Sequence, residues 1–149
     1  MITYQRESVR DLWAEIMPLL ERHREEVGFD KRQSLNVDKG FYEALEDREM
    51  YRAITARSDG RLIGYAGYFI VTHPHYQHLT LAESDVFYIA PEERRGRVGI
   101  ELFRKAELLL KVKGAQFVVN KCKAAHDLSH LFERLGYEKM EISFIRELT

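Results

Sequence analysis

Apolar positions change their spacing several times along this chain, and each change marks an element. Val9, Leu12, Trp13, Ile16, Met17 and Leu20 recur at three- and four-residue intervals behind Ser8, so a helix is expected from that cap, with Pro18 bending or shortening it. A short strand, 2–5, precedes it. Residues 21–37 are polar and irregular apart from Phe29 and Leu35, a connection of the length that lids and binding loops have. Asp38 then caps a short helix carrying Phe41, Tyr42 and Leu45.

Beyond it the period falls to two. Residues 51–57 and 61–72 flank Ser58-Asp59-Gly60, a tight hairpin turn between antiparallel strands. A loop, 73–77, leads to a third strand, 79–89, which stops near Ala90 because Pro91 has no amide to give a ladder. From Val98 the apolar set Val98, Leu102, Phe103, Ala106, Leu109 and Leu110 is helical again, and Gly114 ends that helix. The apolar run 115–122 is reached through this crossover and is expected to pair in parallel. A short helix over 127–135 stops at Gly136, and 137–148 reads as a closing strand with Met140, Ile142, Phe144 and Leu148 on one side. Without repeats or linkers, residues 1–149 form a single α/β (α+β) domain, a mixed and mostly antiparallel sheet flanked by helices.

Composition narrows the function classes. The 149 residues are 45% hydrophobic and 32% charged, which suits a packed core rather than disorder. A formal net charge of −1, with basic residues dispersed, gives no general reason to expect nucleic acid or an anionic membrane as partner. No apolar run is long enough to cross a bilayer, and the first residues lack a secretory layout, so a cytoplasmic location is expected. The lone Cys122 excludes an internal disulfide and reads as a small packing residue.

One segment carries chemistry. Between the strand ending at Ala90 and the helix at Val98 lies Pro91-Glu-Glu-Arg94-Arg95-Gly96-Arg97-Val98-Gly99, a turn whose helix offers unpartnered amides and a positive dipole end to an anion. Neither Gly-x-x-x-x-Gly-Lys-Ser/Thr nor Gly-x-Gly-x-x-Gly occurs, so a nucleotide triphosphatase or dinucleotide site is not supported. The plainer reading is a glycine-containing helix start with solvated arginines. A strand, Pro91 and an amphipathic helix all in register argue for the phosphate site.

Arg94-Arg95-Gly96-Arg97-Val98-Gly99 resembles the pyrophosphate-binding signature Gln/Arg-x-x-Gly-x-Gly/Ala of the GNAT acyltransferase superfamily, with Arg97 where the central glycine usually stands and Gly96 one residue earlier. The order of elements is similar over nearly the whole chain. His73-Pro-His-Tyr76, the Arg/Gly turn, His126-Asp127-Leu128 and Leu135-Gly136-Tyr137 resemble the subgroup found in phage and prophage genomes. The resemblance implies an N-acyltransferase that moves an acetyl group from acetyl-CoA, its co-substrate, to a primary amine on a small molecule or protein. It also implies a parallel strand pair splayed around that co-substrate and a homodimer through the last strand.

Carried over by position, Phe87, Tyr88 and Ile89 would line the pantetheine arm and thioester, the Ile89 amide facing the thioester oxygen, and Arg94, Arg95, Gly96, Arg97, Val98, Gly99 and Ile100 would hold the pyrophosphate. A protonated amine needs a base, and Glu83 stands where many members carry a strand glutamate, with Asp85 second. By strict alternation Glu83, Asp85, Phe87 and Ile89 share a face, although a bulge of the kind this family carries would change which carboxylate meets the cleft. Phe132 occupies the position of the usual general-acid tyrosine, leaving Tyr88, His126, water or unassisted thiolate departure. His126 and His130 at i, i+4 and the cluster His73, His75 and His78 lack an assured third ligand, so no metal is expected. By the resemblance His73, His75 and Tyr76 would line the acceptor side. The rival functions are a coenzyme A binder that has lost its chemistry and a nucleic-acid module using the arginine turn.

Overall fold

The computed structural model describes residues 1–149. Strand β1 (Ile2–Glu7) is followed by helix α1 (Val9–Val27), helix α2 (Lys39–Asp47), strands β2 (Tyr51–Ser58), β3 (Arg61–His73) and β4 (Tyr76–Ile89), a 3-10 turn at Pro91–Glu93, helix α3 (Val98–Lys113), strand β5 (Phe117–Val119), a 3-10 turn at Ala124–His126 and helix α4 (Ser129–Arg134). The sheet runs β1-β2-β3-β4-β5, antiparallel except for β4 and β5. That is the mixed, helix-flanked sheet the sequence predicts, parallel pair included.

Two cores hold the layers. On one face α3 packs Val98, Leu102, Ala106 and Leu110 against Ile54, Ala66, Tyr68, Ile70 and Ala82 of the sheet. On the other, Val9 and Leu12 of α1 meet Tyr51 and Ala53, with Trp13, Tyr42, Leu45 and Phe69 around them. Burial of these side chains, worth about 1.5–3 kcal/mol apiece, is the main force holding the helices to the sheet.

Helix α1 does not stop at Leu20 but continues through Pro18 to Val27, so the polar stretch 21–27 is helical. Its polar residues have partners that a periodicity search cannot see. His23 docks on Tyr65 and Tyr88, while Arg22 and Glu26 pair with Glu92 and Arg94. These contacts offset the hydrogen bond that Pro18 cannot donate. The β3–β4 connection is also tighter than expected, because His73 pairs with Tyr76 and the loop shrinks to Pro74 and His75. Strand β5 is confined to three residues, and Cys122 beyond it is exposed rather than packed.

No closing strand forms over 137–148. Met140, Ile142, Phe144 and Leu148 alternate as a strand would but are exposed. Alternation supplies propensity, whereas a strand exists only with a ladder partner, and this segment has none. Tyr137 is anchored, accepting from Asn120 Nδ2 at 2.8 Å and donating to Glu107, and further on Glu147 makes an exposed ion pair with Arg32 at 3.5 Å.

Candidate active site

Strands β4 and β5 stay paired only from Leu81, Ala82 and Glu83 to Phe117, Val118 and Val119. The last bridge between them is the Lys121 amide donating to the buried Ser84 hydroxyl at 2.9 Å. Past that point β4 runs on alone from Asp85 to Ile89, and a wedge opens beside it. The β5 wall is held by a part-buried polar chain, Tyr68 Oη donating to Asn120 Oδ1 at 2.8 Å and Asn120 Nδ2 to Tyr137.

The direction of the backbone groups along β4 follows from its pairing. Ala90 N donates to Ile63 O at 2.9 Å, which makes Ile89 and Gly64 a non-hydrogen-bonded pair. Amides at Ile89 and Phe87 therefore turn away from β3, toward the wedge. The carbonyl of Ile89 turns the same way and accepts from Arg94 Nε at 2.8 Å.

At the wide end of the wedge lies the turn. No backbone amide from Arg95 to Ile100 donates to another backbone group, and the first that does is Glu101 N, to Arg97 O at 2.8 Å. Arg97, the N-cap of α3, gives no side-chain cap. Gly96 takes the left-handed φ of +57°, so the glycine that precedes the usual position carries the sharp bend. Gly99 leaves the first helical turn open, since a Cβ there would meet only Phe87 Cζ, at 3.6 Å. Val98 is buried, whereas Gly99 and Ile100 are partly exposed. An anion placed here meets a row of unpaired donors at a positive helix end.

The three arginines divide. Arg94 is a clamp, with Nη1 and Nη2 both 2.7 Å from the Glu26 carboxylate and its guanidinium over the Tyr88 ring at 5.3 Å. Arg97 reaches Glu101 at 3.2 Å, and Arg95 is exposed with no side-chain partner in the chain. Only Arg95 and Arg97 are placed to add charge to an incoming anion.

A bulge overrules strict alternation on β4. Pairing passes from Gly67–Val86 to Tyr68–Ser84 and leaves Asp85 as the extra residue. Phe87 thus points to the α3 side, stacked on Phe103 at 3.9 Å, while Glu83, opposite Phe69, lies on the α1/α2 side. The expected single face of four residues is therefore split. Glu83 leans toward β5, 3.5 Å from Lys121 Nζ at the closed end of the wedge. Asp85 leans the other way, its Oδ2 accepting from Tyr42 Oη at 2.8 Å and Tyr51 Oη at 2.9 Å. Burial and the neighbouring Asp85 charge push both phenols above their ordinary range.

His23 and Tyr65 escaped the sequence reading, because nothing in the periodicity of a helix says which polar residue is docked. His23 stacks on Tyr88 at 4.7 Å and its Nδ1 lies 3.0 Å from Tyr65 Oη. Burial lowers its pKa to about 4, so the ring is neutral and takes the phenol proton in a hydrogen bond at Nδ1. Phe132 is buried against Phe103 and Tyr137, a core contact with no proton to give. His126 falls in a 3-10 turn and His130 in α4, so the two do not share a helix, and no group of three His, Cys, Asp or Glu is placed to hold a metal. The tip carrying His73, His75 and Tyr76 lies beyond the closed end of the wedge, the His73–Tyr76 pair standing four β3 residues past the Phe69–Glu83 pair, roughly 13 Å at strand rise.

The sequence model described as "Acetyltransferase (GNAT) family" matches residues 7–137. No curated protein matches the sequence. Among solved structures, a ribosomal-protein-alanine N-acetyltransferase from Brucella melitensis biovar Abortus 2308 is 18% identical over 100% of both chains, with a TM-score of 0.75. An aminoglycoside acetyltransferase from an uncultured soil metagenomic sample, in complex with sisomicin, is 17% identical over 99% of this chain and 97% of its own, with a TM-score of 0.76. A predicted acetyltransferase with acetyl-CoA from Clostridium acetobutylicum is 11% identical over 99% and 96%, with a TM-score of 0.72. Identities this low speak for a shared fold.

Proposed function

We propose that this chain, which belongs to the GNAT acetyltransferase family, moves an acetyl group from acetyl-CoA to a primary amine by direct attack. The observation that carries this reading is the continuity of the donor-lined path. It runs from the unpaired amides of Arg95 to Ile100, past the outward-turned amides of Ile89 and Phe87, to the closed end of the wedge beside Glu83. Acetyl-CoA has a pyrophosphate, an amide-bearing arm and a thioester in that order, and the Clostridium neighbour is one named with it.

In this reading the turn binds the pyrophosphate through main-chain amides with Arg95 and Arg97 beside it, and Arg94 holds the turn to α1. Of the two wedge-facing amides, Ile89 suits the arm and Phe87 the thioester. Phe87 is four residues from Glu83, but the bulged Asp85 lies between them and their β3 partners are three apart, about 10 Å at strand rise, a gap that a glutamate side chain, the amine and one water fill. Ile89, whose β3 partner is five residues from that of Glu83, lies about 17 Å away, too far to share an acceptor nitrogen with that carboxylate.

Glu83 then serves as the base. As the amine nitrogen bonds to the acyl carbon, its proton passes to Glu83, charge gathers on the oxygen facing the Phe87 amide, and the carbon–sulfur bond breaks to release the thiolate. One such donor is worth roughly 3–4 kcal/mol. With Phe132 in the core, the thiolate leaves unassisted or takes its proton from water; a thiol of pKa near ~8.5 is an adequate leaving group. Tyr88 is less suited, because burial raises its phenol. The test is thiol release from acetyl-CoA with a panel of primary amines, where amine-dependent release supports the reading and its absence for every amine contradicts it.

A further inference from the structure

Asp85 is surrounded by more machinery than a strand carboxylate needs. The bulge frees it from the ladder, Tyr42 and Tyr51 both donate to Oδ2, and no hydrogen bond or ion pair of the chain engages Oδ1. Tyr51 reaches it from β2 only by crossing β3 at Gly67, where a Cβ would stand 2.0 Å from the Tyr51 hydroxyl. Aromatic rings wall the place. Tyr42 and Tyr51 meet edge-on at 4.9 Å, Tyr51 and Phe69 at 5.3 Å, and Phe41 closes on Tyr42 at 5.4 Å while remaining 47% exposed. A half-buried carboxylate with an open oxygen, no counter-cation and two phenols on its other oxygen, backed by packed aromatic rings, has the chemistry that binds an ammonium or guanidinium ion.

We propose that Asp85, Tyr42, Tyr51, Phe41 and Phe69 seat a second, non-reacting cation of the acceptor, so that the substrate is a flexible amine with two separated positive groups. This rests on the acetyl-transfer reading. Glu83 leans to the β5 side of β4 and Asp85 to the β3 side, so the reacting nitrogen and the seated cation lie on opposite flanks of one strand. Their separation is between one and two strand spacings, roughly 5–10 Å. A linear α,ω-diamine of intermediate length bridges that span, whereas an n-alkylamine leaves Asp85 without a counter-charge.

The experiment compares α,ω-diaminoalkanes of increasing length with the matching n-alkylamines as acceptors, on wild type, Asp85→Asn and Phe41→Ala. Wild type is expected to favour a diamine by tenfold or more in kcat/KM, with an optimum length. Asp85→Asn should collapse that ratio toward one through a raised diamine KM, and Phe41→Ala, an exposed truncation that spares the core, should lower it several-fold. Equal use of diamines and monoamines by wild type overturns the seat while leaving acetyl transfer standing. So does a lysine peptide acetylated faster than any diamine, or an Asp85→Asn variant that loses kcat equally for both amine classes, the mark of a base. Absence of transfer to every amine overturns both readings.

Discussion

Tyr51 hydrogen-bonds Asp85 at 2.9 Å by passing over a residue with no side chain, Gly67. Gly67→Ala would put a methyl group into the Tyr51 ring, whose Cζ lies 2.9 Å from the same point, and the buried tyrosine has little room to retreat. Overpacking of this kind is expected to destabilise the fold by about 1–3 kcal/mol. Gly67→Ala in a Tyr51→Ala background should recover part of that loss, measured as denaturant midpoints in a double-mutant cycle.

Replacing Glu83 by Gln is expected to lower kcat tenfold or more, while the affinity for acetyl-CoA stays within about twofold, since Glu83 touches neither the turn nor the outward amides. Steady-state kinetics beside a cofactor titration would separate the two. A variant with full kcat removes Glu83 from the role of base.

Arg57 ties β1, β2 and α1 together, meeting Glu7 at 2.8 Å and Glu15 at 2.7 Å with only 14% of its side chain exposed. Burial would raise Glu7, but hydrogen bonds from Arg57 and Thr55 outweigh it and hold the carboxyl below its usual range. Arg57→Met leaves Glu7 enclosed without its counter-charge and is expected to cost about 3–5 kcal/mol, read from chemical denaturation at neutral pH. The deficit should shrink in acid, where Glu7 is protonated in both forms.

The depressed pKa of His23 fixes a direction for pH dependence. Unfolded, the imidazole titrates near 6.5; folded, burial holds it at about 4. Between these values the unfolded chain binds more protons, so the contribution of the neutral ring is whole above pH 6.5 and is lost as pH falls toward about 4. The loss is on the order of 3 kcal/mol. His23→Gln, which can still accept from Tyr65, should flatten the stability profile across that window, and an unaltered slope would place the effect elsewhere.

Legibility of the sequence depended on whether a signal was local. Asp59-Gly60, the Ser8 cap and the apolar stripe of α3 are short-range patterns, and each produced the element it predicts. The extent of α1 past Pro18 was hidden because Arg22, His23 and Glu26 are held by residues more than 40 positions away. Residues 137–148 failed for the opposite reason, since a period of two records propensity and not the presence of a neighbour. At the site, the turn could be read from its residue types, but the bulge at Asp85 could not. Once β4 slips by one residue, Phe87 moves to the α3 face and Asp85 comes under Tyr42 and Tyr51, contacts that depend on pairing between distant segments.

The central claim is that the amides between Arg95 and Ile100 hold the pyrophosphate of coenzyme A, and calorimetric titration tests it most directly. The titrants are acetyl-CoA, coenzyme A and pantetheine lacking phosphate, against wild type and Gly99→Glu. A glutamate at position 99 has only ordinary contact to make with Phe87 and suits the first turn of a helix, so the fold should survive while a carboxylate enters the anion site. Saturable binding of both coenzyme A forms, weak binding of pantetheine and loss of binding in Gly99→Glu are the predicted results. Wild type that binds none of the three, or Gly99→Glu that binds acetyl-CoA as wild type does, would contradict the assignment.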